Sequence, residues 1–158
     1  PKILEITLNN GIDPVMGKVV SIQTGDPTGF KTYNELYNAF LQQLHHIVDL
    51  KMRVSNYIDR MFAKYAPAPF LSVVIDDCIS KGRDYYDGGP RYNTSYIQCC
   101  GLGTVTDSLS ALKTHVFESA AVSMDRMLKA VQNNFKGEEV LRQTIMNRTA
   151  FFGNDNDA

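Results

Sequence analysis

From Thr32 to Ala66 the chain contains neither proline nor glycine. Across that run Leu36, Phe40, Leu44, Ile47, Val48, Val54, Ile58, Met61, Phe62 and Tyr65 recur at three- and four-residue steps, the spacing of one helical face. Thr32 and Glu35 stand at capping-box spacing, so each can satisfy a free backbone N–H at a helix start. The pattern predicts a single helix over Tyr33–Tyr65, roughly 50 Å long at about 1.5 Å per residue. A compact domain of 158 residues has a radius of gyration of about 15 Å and is roughly 40 Å across. The helix is longer than the body its own chain can build around it, and nothing in it provides a kink.

The rest of the chain is read around that helix. "PKILEITLNNG" has Ile3, Leu4 and Leu8 roughly on one face and a stop at Asn10-Gly11. "IDPVMGKVVSIQTGDPTGF" reads as a loop, with a short strand possible at Val19–Gln23. "PFLSVVIDDCISKG" predicts a second helix: Pro69 suits the first turn, Leu71, Val74, Ile75 and Cys78 share a face, and Gly82 ends it. The run Val73-Val74-Ile75 leaves a strand open there. "RYNTSYIQCC" predicts the one firm strand, favoured by Tyr92, Thr94, Tyr96 and Ile97 and closed by Gly101. Helices are then expected from about Thr106, with Leu109, Leu112 and Val116 on one face; from a Ser123 cap through Phe135; and after Gly137, carrying Val140, Leu141 and Ile145. The tail "GNDNDA" is polar and expected to fray. The fold class is α/β and helix-rich. One firm strand and one weak strand do not make a stable sheet, so the expectation is a piece of a larger body.

Composition removes several function classes. Net charge is −1 and no basic run stands out, so neither a nucleic-acid surface nor a polybasic membrane anchor is expected. No apolar run approaches the roughly 20 residues of a membrane span. The 3 cysteines, two of them adjacent, argue against a secreted disulfide framework and for reduced thiols in the cytoplasm.

Four groups of residues invite chemistry. Cys99 and Cys100 precede a helix start, which favours a reactive thiolate, yet adjacent strand residues face opposite ways and small thiols commonly pack. "GLGTVTDS" after a strand resembles a phosphate-cradling turn through Gly101 and Gly103. The third glycine of a dinucleotide fingerprint is replaced by Thr106, and a plain helix start, capped by Thr106 with Asp107 on its dipole, explains the same residues. His45-His46, His115 and Asp76-Asp77 lack a spacing that would gather a metal or an acid–base pair. Arg91, after Gly88-Gly89-Pro90, suits either a substrate carboxylate or sulfonate or the anchoring of loop carbonyls. The phosphate turn leaves open a nucleotide-binding function.

"GGPRYNTSYIQCCGLGTVTDSLSALK" closely resembles a signature segment of the glycyl radical enzymes, and "LNNGIDPVMGK", "TGD" and "GNDND" are similar to segments of the same family in the same order. The resemblance is nearest the branch of hydroxyproline dehydratases and isethionate sulfite-lyases, with pyruvate formate-lyases more distant. It implies a segment of a ten-stranded α/β barrel, residues 1–158 being an internal part of the barrel domain of a longer chain. Family chemistry needs a cysteine in a Gly-Cys-Val-Glu-type loop and a radical glycine in an Arg-Val-x-Gly-Tyr-type loop. Neither motif is present; by family order they are expected before Pro1 and beyond Ala158.

The resemblance therefore assigns no catalytic, cofactor-binding or metal-binding residue to this stretch, and it makes Cys99 and Cys100 packing residues. The parent is expected to cleave a C–O or C–S bond of a small polar substrate by radical elimination, in anaerobic metabolism, as a homodimer. A separate activase using S-adenosylmethionine and an iron–sulfur cluster would install its glycyl radical. A formate C-acetyltransferase-type C–C lyase parent and a non-catalytic binding module are the alternatives. A fragment should expose apolar surface and leave Tyr92–Cys100 unpaired on at least one edge.

Overall fold

A computed structural model of the chain describes residues 1–155. The chain divides into two compact units, Pro1–Ile47 with Cys99–Ala158, and Val48–Gln98.

The first unit opens with helix α1 (Lys2–Leu8). It stops where read: Asn10 and Gly11 take positive φ, and a Cβ on Gly11 would stand 2.5 Å from the Ile22 carbonyl oxygen. Only glycine allows that approach. The loop then makes a two-residue hairpin, β1 (Ile12–Asp13) against β2 (Lys18–Val19), with Ile12 opposite Val19. The strand read at Val19–Gln23 shrinks to this pair, because the Val20 and Ser21 N–H groups turn to the Gly11 carbonyl instead. A 3₁₀ turn (Pro27–Gly29), capped by Asp26, leads into α2 (Tyr33–Tyr65), whose 33 residues match the predicted span. Thr32 Oγ1 accepts the Glu35 N–H at 3.3 Å. The Glu35 carboxylate takes the Lys31 N–H at 2.6 Å, one residue before the partner a capping box prescribes.

Helix α5 (Leu102–Leu112) starts ahead of the expected Thr106. Gly101, at φ +76°, makes the turn, and the Thr106 hydroxyl donates to the Leu102 carbonyl at 3.1 Å inside the helix. Thr106 is therefore no cap. The helix runs on into a π-turn (Lys113–Glu118). Helix α6 (Met124–Gln132) is capped by Ser123, which accepts the Arg126 N–H at 3.3 Å. It ends short of the predicted Phe135, since Asn134 and Phe135 are left-handed. Helix α7 (Glu139–Arg148) completes the unit. Two apolar clusters form its core: Leu36, Leu112, Val122, Met124 and Met127 in one, and Leu4, Phe40 and Leu109 in the other.

In the second unit the predicted helix over Pro69–Lys81 is two helices, α3 (Pro69–Val74) and α4 (Cys78–Lys81). Ile75 is extended and Asp77 sits at φ +77°. The Asp76 carbonyl there accepts the Arg91 N–H at 3.3 Å, a long-range bond that a local helical pattern does not reveal. Gly82, at φ +61°, ends α4 as read. A 3₁₀ turn follows (Tyr85–Asp87).

The predicted strand is absent. Residues 93–100 have no ladder partner, and the β1–β2 hairpin is the only sheet among the described residues. Tyr92 and Tyr96 are 86% and 85% exposed. A strand exists by pairing, and neither edge of this stretch meets another strand. Among the described residues no helix is long and apolar enough to cross a membrane.

Candidate functional site

A polar cluster lies in the second unit, around the Gly88–Arg91 loop. Arg91 lays its guanidinium on Asp77 in a two-pronged bond, Nε to Oδ2 at 3.1 Å and Nη2 to Oδ1 at 2.9 Å. The hydrogen bond and charge of Arg91 hold the Asp77 carboxyl below the usual carboxylate range. The fork that could have taken a substrate carboxylate is thus filled from within. Carbonyl anchoring falls to Lys81, whose Nζ donates to Gly89 O at 3.1 Å and Pro90 O at 3.2 Å.

Asp84 organises the same loop. Its carboxylate accepts the Ala68 N–H at 2.9 Å, the Ser72 hydroxyl at 2.8 Å and the Tyr86 N–H at 3.0 Å. Burial alone would raise its pKa, but the bonds from Tyr86, Ser72 and Ala68 outweigh that and lower it. Gly89 has no room for a side chain: a Cβ would collide with the Arg83 carbonyl and stand 2.8 Å from the Asp84 carbonyl and the Cys78 sulfur. Asp77 and Arg91 are spent on each other, Lys81 on two carbonyls and Asp84 on neutral donors, so these side chains hold the loop.

Cys99 and Cys100 are both exposed, and Cys78 is the buried thiol. Among the described residues no layer covers Tyr92–Cys100, so the packing role read for the pair is not met there. The glycine turn that follows packs against the chain's own side chains. A Cβ at Gly101 would stand 2.5 Å from Pro1 Cγ, and one at Gly103 would meet the Phe152 ring at 3.3 Å. These glycines make room for the chain's own side chains. Asp107, further along α5, accepts the Phe152 N–H at 2.7 Å.

The histidines stand at three separate positions. His46 is half-buried and His45 exposed on α2, while His115 is buried in the π-turn with Nε2 3.0 Å from Thr149 Oγ1. Among the described residues no three His, Cys, Asp or Glu side chains could hold a metal ion. A hollow of about 380 Å³ opens in the first unit, walled mainly by apolar residues of α1, α5, α6 and α7 such as Leu4, Leu112, Met127 and Ile145. Its polar lining includes Glu5, Asp107, Ser108 and Thr149.

Two residues with organising roles escaped the sequence reading. Gln43 is fully buried; its Nε2 donates to the Ile22 carbonyl, and its Oε1 accepts the Ser21 hydroxyl at 2.6 Å. A glutamine on the apolar stripe of α2 was the available signal. Asp84 had a local one, since an Asp two residues before an N–H of a turn is a common cap.

The pyruvate formate lyase-like family model matches residues 1–158. Trans-4-hydroxy-L-proline dehydratase of Clostridioides difficile is 50% identical over 99% of this chain and 20% of its own length. Isethionate sulfite-lyase of Bilophila wadsworthia is 35% identical over 98% of this chain and 19% of its own. The crystal structure of the Clostridioides difficile hydroxyproline dehydratase with trans-4-hydroxy-L-proline bound superposes with a TM-score of 0.93, again over 99% of this chain and 20% of that one. The chain spans about a fifth of the length of these relatives. Match along the whole chain and half-identity at one fold place it: it belongs to the pyruvate formate lyase-like family, in the glycyl radical enzyme branch that holds dehydratases and sulfite-lyases.

Proposed function

We propose that residues 1–158 are an internal part of the barrel of a glycyl radical enzyme that eliminates water or sulfite from a small polar substrate. The observation that carries this is the 50% identity to a trans-4-hydroxy-L-proline dehydratase over 99% of the chain, at a TM-score of 0.93. The exposed, unpaired Tyr92–Cys100 stretch supports it, for such a segment suits a place between neighbouring strands. In that place Cys99 and Cys100 would pack against the layers on either side.

The contribution of this chain to the chemistry is scaffolding. A barrel wall shields a radical from water and oxygen, and the Asp77–Arg91 and Asp84 clusters hold the loop ahead of the wall segment rigid. The glycyl radical itself, its activase with S-adenosylmethionine and an iron–sulfur cluster, the homodimer and the cytoplasmic, anaerobic setting belong to the parent. The isolated chain turns over no substrate. Its partners are the rest of that parent, with neither nucleic acid nor membrane among them.

The test is a chimera in which residues 1–158 replace the matching fifth of the Clostridioides difficile dehydratase. Activation is followed by electron paramagnetic resonance and turnover by product analysis. The expected result is a glycyl radical signal and dehydration of trans-4-hydroxy-L-proline, with none from the isolated chain. A folded chimera that carries the radical yet eliminates neither water nor sulfite would sink the proposal. The family description also covers formate-lyase relatives; acetyl transfer by the chimera's natural parent would favour that second reading.

A further inference from the structure

Asparagine or aspartate stands directly before glycine at Asn10-Gly11 and at Asp87-Gly88. At such a pair the glycine nitrogen, uncrowded by a side chain, can attack the Cγ of the preceding residue and close a succinimide ring. The amide is the more reactive partner, because a carboxylate is an anion and must take up a proton before its oxygen can leave. Chemistry alone therefore favours Asn10.

The structure works against that order. Gly11 is buried, and its N–H donates to the Ile6 carbonyl at 2.9 Å where α1 ends. Asn10 Oδ1 accepts the Gly25 N–H at 2.9 Å from across the loop. Ring closure has to break both bonds, in a place where even a Cβ on Gly11 would stand 2.5 Å from the Ile22 carbonyl. That pair is locked.

Asp87-Gly88 is open. The Asp87 side chain is 54% exposed, and its one polar contact among the described residues is Arg83 Nε at 3.4 Å. Gly88 leaves the 3₁₀ turn at φ +75°, and its N–H has no hydrogen-bond partner among the described residues. The N–H groups on either side are taken, for Asp87 and Gly89 both donate to the Asp84 carbonyl, at 2.9 and 3.0 Å. The free nitrogen is thus the one that must react. Arg83 is a donor for the negative charge that gathers on the Asp87 oxygen as that nitrogen attacks.

We propose that Asp87-Gly88 is a site of spontaneous isoaspartate formation, and that folding protects Asn10-Gly11 from the same chemistry. The Gly88 nitrogen loses its proton and bonds to Asp87 Cγ; the C–OH bond of the protonated carboxyl breaks, and water leaves. Water then reopens the ring. Where it breaks the bond from Gly88 N to the main-chain carbonyl of Asp87, the chain runs on through Cγ, one carbon longer. The longer backbone enters Gly89, whose carbonyl holds Lys81 and whose surroundings have no room to shift. The modification therefore loosens the Gly88–Arg91 loop.

Ageing of the full chain in neutral buffer, with and without urea, tests this by peptide mapping of isoaspartate and of lost amide. Each position is compared with its own rate in the unfolded chain. Isoaspartate at 87 should form at a similar rate folded and unfolded, whereas folding should slow the Asn10 reaction about thirtyfold, the worth of two ordinary hydrogen bonds. Asp87→Asn gives both positions the same dipeptide, and in the folded protein the amide at 87 should be lost well ahead of that at Asn10. Amide exchange over residues 88–91 should be faster in the isoaspartate form. Protection of position 87 by folding as strong as that of Asn10, or equal amide loss at both positions in folded Asp87→Asn, overturns the site. Unchanged exchange in the isoaspartate form overturns the loosening.

Discussion

The two ends of α2 carry the same apolar period and meet different fates. In the first unit Leu36, Ala39, Phe40 and Gln43 are buried. In the second, Leu50, Val54, Tyr57, Ile58, Met61 and Phe62 are all between 39% and 63% exposed. The contrast extends beyond the helix. The first unit has two apolar clusters, whereas the second buries Cys78, Gly89 and Pro90. The second unit is held instead by Arg91–Asp77, by Lys81 on two carbonyls and by Asp84. An apolar stripe states which face wants cover; it does not state that cover is present.

That contrast can be broken at four residues. The largest effect is expected in the core: Leu36→Ala, at a site with no exposure, should cost about 2–5 kcal/mol in chemical denaturation. Ile58→Ala, on the same stripe but 42% exposed, should stay within about 0.5 kcal/mol. Equal costs at the two sites would erase the distinction. Next comes Gly89→Ala, which forces a methyl against backbone carbonyls and the Cys78 sulfur. It should destabilise the second unit by about 1–3 kcal/mol, seen as faster exchange over residues 78–91 with little change in the first unit.

The smallest effect belongs to the exposed Asp77–Arg91 pair. Asp77→Asn should raise exchange only around α4 and the Gly88–Arg91 loop. Because Asp77 is held below the usual carboxylate range, its contribution is present above the unfolded value of about 3.9 and fades as pH falls through the lower folded one. A wild-type loop indifferent to acid, or an Asp77→Asn loop with an unchanged acid response, would remove the pair from the account.

Local signals were legible wherever a bond closes within a few residues. Thr32 and Glu35 marked the start of α2, Ser123 that of α6, Gly82 the end of α4, and Asn10-Gly11 the end of α1. Apart from the early end of α6 at Asn134–Phe135, the misreadings sit where a distant residue decides. Ile75–Asp77 leaves the helix because Arg91 bonds there, and α5 starts at Leu102 because Gly101 turns against Pro1. The candidate site divided the same way. Arg91 stood out by residue type, but its partner is Asp77 rather than a ligand or a carbonyl, and no spacing rule connects two residues so far apart in sequence.

The sequence by itself determined the period, caps and stops of the helices, and through its ordered motifs the family. These depend on dihedral preferences and hydrogen bonds among neighbours, which the local order of residues encodes. Only the tertiary structure decided which apolar faces are covered, that "RYNTSYIQCC" meets no strand among the described residues, and that Arg91 is spent on Asp77. Burial and pairing are relations between distant segments, and a segment that lacks its partner carries the same pattern as one that has it.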